Sequence, residues 1–161
     1  MRQKNILEMV LSICQRKVVN LMPPTGCSCK RCISACSNKP GWFLPGEVEK
    51  TAKFLDMTTQ DFFDKYLAVD WFRDTFVLAP AIIESKPGGM YPLNPHGQCI
   101  FFKNNRCSIH AVKPFECRNY NHNKRTEESQ ATHELVAKEW EPHQVQIFQL
   151  YPLAKIQSED C

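Results

Sequence analysis

Cys27-Ser28-Cys29-Lys30-Arg31-Cys32-Ile33-Ser34-Ala35-Cys36 places four cysteines within ten residues. Three more follow far along the chain at Cys99, Cys107 and Cys117. Ligands two to four residues apart in a turn-rich loop let several sulfurs converge on one centre. The run Cys29-x2-Cys32-x3-Cys36 resembles part of a ferredoxin loop, without that loop's fourth cysteine and following proline. If both groups serve one site, the intervening chain must fold back and bring the second group against the first.

The chain has 161 residues and nine cysteines. That length fits one ordinary domain, and 43 % hydrophobic with 23 % charged residues fits a globular fold. Lys4, Glu8, Arg16 and Lys17 interrupt the first 22 residues, so no secretory signal is expected there. No stretch reaches the roughly 18 apolar residues of a membrane helix. Ser158-Glu159-Asp160-Cys161 lacks the prenylation pattern. The expectation is a cytoplasmic protein with no membrane partner, where clustered cysteines serve a metal or redox centre and not a disulfide framework. The formal charge of +3 is small, and the pairs Lys30-Arg31 and Lys124-Arg125 make no basic stripe for nucleic acid.

Outward from the cysteines, residues 2 to 21 read as a helix with Cys14 on its apolar stripe, ended by Pro23-Pro24-Thr25-Gly26 and followed by an irregular loop. Gly46 to Met57 reads as a short helix. A second starts at the cap Thr58, with Asp61 at its third position and Phe62, Phe63, Tyr66 and Leu67 behind. Residues 75 to 83 suggest a strand that Pro80 confines to an edge or bulge. Gly97 to His110 reads as a hairpin turning at Lys103-Asn104-Asn105. Residues 126 to 151 return to helix, broken or kinked at Pro142. The expected fold is α+β, a small, mainly helical single domain with a short antiparallel hairpin and irregular cysteine-rich loops around a metal centre. Its parts are an N-terminal helix (1–22), a metal-binding core (23–121) and a C-terminal helical segment (122–161).

The candidate metal ligands are Cys27, Cys29, Cys32, Cys36, Cys99, Cys107 and Cys117. His110 and His122 flank the last group as further donors. Lys30, Arg31, Arg106 and Arg118 stand beside cysteines and could offset thiolate charge, Arg118 foremost because it follows Cys117 directly. Soft thiolates suit both iron–sulfur clusters and zinc. The first expectation is an iron–sulfur cluster of the four-iron type, in a redox or accessory role with a protein partner. The alternatives are a zinc-stapled interaction module that catalyses nothing and, third, a metal-dependent modifying enzyme. No catalytic residue is assigned.

Gly97-Gln98-Cys99-Ile100-Phe101-Phe102, then Cys107-Ser108-Ile109-His110, then Lys113-Pro114-Phe115-Glu116-Cys117-Arg118 resemble the second half of the zinc- or iron-chelating cysteine-cluster family often called the YkgJ family. Trp42 to Leu67, with its Pro-Gly-Glu helix start, resembles the family's spacer, and the likeness covers about residues 25 to 121. Three departures are visible: the spacing of the first cysteine group, His110 where tyrosine is usual, and Lys113 where arginine is usual. The resemblance implies metal chelation. A related branch includes flagellin lysine methylases, but the chain shows no glycine-rich strand-to-helix turn for a nucleotide-like cofactor. The cysteine order is also the reverse of the radical S-adenosylmethionine loop.

Overall fold

The computed structural model describes residues 30–120, 123 and 125–152, with the side chain of Cys32 left out. The helix expected over 2–21, together with Cys14, Cys27, Cys29 and His122, lies outside the described residues.

Helix α1 runs Lys30–Asn38. A loop was expected here, because ligand spacings of three and four residues occur in metal loops. The same spacings are helical repeats, and no glycine or proline interrupts the segment before Pro40-Gly41. Ile33 and Cys36, on one side of α1, pack against the core. Helix α2 (Pro45–Phe54) starts on a proline, and Glu47 at its third position accepts the Leu44 N–H at 2.9 Å. Helix α3 (Thr59–Tyr66) starts as read from the sequence, with Thr58 Oγ1 accepting the Asp61 N–H at 3.0 Å.

Leu67 does not continue α3. It opens strand β1 (Leu67–Phe72), a strand the sequence reading missed. Its first four residues are all buried, so the polar/apolar alternation that marks a half-exposed strand is absent. β1 is the middle strand of a three-stranded sheet, antiparallel to β2 (Thr75–Pro80) and parallel to β3 (Gly89–Met90). β2 is an edge strand, as the proline required, but it ends at Pro80 and does not run on to residue 83.

That edge is covered. Phe43 N–H donates to the Leu78 carbonyl at 2.9 Å. The Gln144 side-chain amide makes two bonds to the Phe76 backbone, accepting from N–H at 3.1 Å and donating to the carbonyl at 2.9 Å. Gln144 thus stands in for a strand partner and blunts the edge.

The expected hairpin is present but shorter, β4 (Phe102–Lys103) against β5 (Arg106–Cys107). Its turn is the pair Asn104-Asn105, both with positive φ (51° and 59°), a conformation asparagine tolerates best after glycine. A single 3-10 turn (His110–Val112) leads to the five-residue helix α4 (Phe115–Asn119). The chain then forms α5 (Thr126–Trp140), a 3-10 turn through Pro142, and α6 (Gln144–Leu150). The break at Pro142 is where the sequence put it. Val136, Trp140, Ile147 and Tyr151 share one core with Phe43, Phe62, Phe63, Leu67 and Leu78. Among the described residues no helix is long and apolar enough to cross a membrane. The architecture is α+β, with a small sheet framed by helices and a two-stranded hairpin at one side.

One buried charge fixes the chain leading from α1. Asp70, in the middle of β1 and 5 % exposed, meets Lys39 Nζ at 3.0 Å and accepts Trp42 Nε1–H at 2.8 Å and Trp71 N–H at 2.9 Å. A buried carboxylate with three partners is satisfied, and residues 39–42 are thereby tied to the sheet.

Candidate metal centre

Cysteines from the two distant groups meet at the side of the sheet. Cys99 N–H donates to the Cys36 carbonyl at 2.9 Å, and Gly97 N–H to the Asn38 carbonyl at 2.6 Å, so the end of α1 pairs directly with the segment carrying Cys99. That segment is held from behind as well, through Ile83 N–H to Gln98 O and Ile100 N–H to Ala81 O, both 2.9 Å. The hairpin then returns Cys107 to the same place, and α4 supplies Cys117, whose Sγ accepts the Gly41 N–H at 3.3 Å. Cys99 is buried; Cys36, Cys107 and Cys117 are partly buried; all four are free thiols.

The four sulfurs are close enough to act on one another. Burial pushes the Cys36 thiol up, with the Cys107 charge adding to it. Cys99 is pushed up to about 12, first by burial and then by Cys107 and Cys36. Cys117 is raised by burial and by Cys99, Cys36 and Cys107, and Cys107 by burial. Buried groups of like charge hold each other neutral until a cation compensates them.

Against this, backbone donors favour the ionised sulfurs. Gly41 N–H donates to Cys117 Sγ, the backbone N–H groups of Phe101 and Phe102 lower Cys99, and that of Ile109 lowers Cys107. Two of these come from the residue two positions after the cysteine. Such donors stabilise a thiolate and tune the centre it ligates. The donor set thus fits a thiolate-loving metal: soft sulfurs, mutual repulsion relieved only by a cation, and N–H groups aimed at the sulfurs. Among the described residues no group of three or more His, Cys, Asp or Glu side chains is arranged to hold a single ion as it stands.

Cys27 and Cys29 lie outside the described residues; position 32 is one helical turn before Cys36 on α1. Arg118, the cation read from the sequence as the partner of Cys117, is engaged elsewhere: it pairs with Glu47 and donates to the Lys113 carbonyl at 2.6 Å. The cation acting on the thiols is Lys113, which lowers both Cys36 and Cys107. His110 is held below the usual histidine value by partial burial and by Lys113. Sequence reasoning also missed Gly41, Glu116 and His133; only Glu116 carried a signal, its place in the Pro114-to-Arg118 motif.

Gly41 has a steric duty. A Cβ there would meet Glu116 Cβ at 2.6 Å and the Cys117 nitrogen at 3.0 Å, whereas a Cβ at Gly46 meets nothing within 4 Å. Gly41→Ala should therefore cost about 1–3 kcal/mol by overpacking, while Gly46→Ala, in the first turn of α2, should be neutral or stabilise by up to about 1 kcal/mol. Urea unfolding of both variants checks this, and equal effects would contradict the close approach of Gly41 to α4.

No curated protein and no solved structure matches the chain. A family model does, over residues 28–140, a span that takes in α1, the sheet, the hairpin, the Cys117 segment and α5. With its thiols gathered from both ends of that span, the chain belongs to the CxxCxxCC family, described as a zinc- or iron-chelating domain.

Proposed function

We propose that this domain holds an iron–sulfur cluster of the four-iron type on its clustered cysteines, and that it serves a redox or accessory role with a protein partner in the cytoplasm. The observation that carries the reading is the mutual proximity of Cys36, Cys99, Cys107 and Cys117, whose charges act on one another, with the Gly41 N–H donating to Cys117 Sγ. A lone zinc, about 2.3 Å from each sulfur, needs four sulfurs nearly in contact. A four-iron cluster takes one thiolate per iron and spans a wider gap. Cys27, Cys29 and Cys32 are the reserve of ligands for completing or doubling the site.

Zinc as a purely structural staple is the second reading. It is favoured by what the thiols join: α1, a hairpin of two-residue strands and a five-residue helix, none of which can stand alone.

Purification without oxygen followed by iron, zinc and acid-labile sulfide analysis decides between them. About four irons and four sulfides per chain, with a brown chromophore that bleaches on reduction, is the expected result. Zinc without sulfide selects the staple, and a chain carrying neither metal overturns both.

A further inference from the structure

We propose that Glu116 and His133 are the positioning pair for Cys117 in the metal centre, an inference that rests on Cys117 being a ligand. Cys117 sits in a helix of five residues, too short to hold its own geometry. Metal–ligand distances tolerate only about 0.2 Å, so α4 must be fixed from outside.

The fixing is done by two successive residues on each side. Gly41 N–H donates to Cys117 Sγ at 3.3 Å, and Trp42 N–H donates to Glu116 Oε2 at 2.8 Å. The other carboxylate oxygen, Oε1, meets His133 Nδ1 at 2.6 Å. A carboxylate only accepts, so the imidazole donates from Nδ1. Glu116 is 8 % exposed, whereas the His133 side chain is 43 % exposed and packs against Trp42, with ring centroids 4.6 Å apart and the planes tilted by 50°.

The long helix α5 thus reaches through His133 to Glu116, and through Glu116 to the backbone that carries the sulfur. Partners one step removed from a metal ligand orient it in the same way, and losing one typically costs 10–100-fold in metal affinity. Glu116 and Arg118, two residues apart, do not share a face of α4, and Arg118 pairs with Glu47.

The test uses the full chain, purified anaerobically, with two substitutions. His133→Phe keeps a ring on Trp42 but removes the donor; His133→Asn keeps a donor at about the position of Nδ1. The readouts are the rate at which excess chelator strips the bound metal, and the thiolate-to-cobalt charge-transfer band after refilling the stripped protein with Co(II). His133→Phe should release metal about tenfold faster with an altered band, and His133→Asn should stay near wild type. Wild-type release and an unchanged band in His133→Phe overturn the proposal, even if the variant melts earlier, because the dyad then serves the fold alone. A wild-type chain that binds neither iron, zinc nor cobalt fails differently: it removes Cys117 as a ligand, and the inference with it.

Discussion

Stripping the metal from the purified chain, or replacing Cys99 or Cys117 with serine, is expected to lower the melting temperature by about 10–15 °C and to loosen one side of the molecule first. With free metal at about 1,000 times Kd, binding to the folded state alone contributes about 4 kcal/mol. A chain of this length shifts by about 2–4 °C per kcal/mol. The domain should not unfold outright, as metal-free zinc fingers do, because it has an aromatic and aliphatic core: Phe43, Phe62, Leu78, Trp140 and Ile147 are fully buried. The thiols lie in the outlying part, residues 30–41 and 97–118, where the strands are two residues long and the helices short. Amide exchange should rise there on metal removal while β1, β2 and α5 stay protected. Exchange rising uniformly over the chain would show that the thiols do not form a local staple.

The second large effect is expected at Glu47. Its carboxylate accepts from Leu44 N–H and Phe115 N–H, both at 2.9 Å, and pairs with Arg118. Both side chains are mostly buried, at 14 % and 21 % exposure. Glu47→Ala removes the α2 capping contact and leaves Arg118 without its anion. Breaking one side of a buried pair typically costs about 3–5 kcal/mol. In a Glu47→Ala background, Arg118→Leu should add less destabilisation than it causes alone, since the penalty of an unpaired guanidinium is then removed. Urea unfolding of the two single variants and the double variant measures the coupling. Strict additivity would mean that the pair is not energetically joined. The lesson for the site is that Arg118 serves the joint between α2 and α4, and Lys113 supplies positive charge to the thiols.

Local signals were readable wherever a residue's chemistry acts on its own neighbourhood. Pro45 and Glu47 at a helix start, Thr58 with Asp61 at a cap, the asparagine turn and Pro142 between two helices all stand where the chain alone puts them. β1 was missed because a strand buried on both faces has no alternation to read. α1 cannot be told from a loop by its cysteines, because three- and four-residue spacing belongs to helices and to ligand loops alike.

By itself, then, the sequence determined the class of the molecule: an α+β domain with two sets of sulfur donors, whose spacing and flanking motifs already pointed to metal. Only the tertiary structure decided which side chains and backbone groups lie around the sulfurs. Gly41 beside Cys117, the Lys113 charge acting on Cys36, and His133 behind Glu116 join residues remote in the chain. A long side chain's partner depends on which backbone is folded against it, and no spacing along the chain records that.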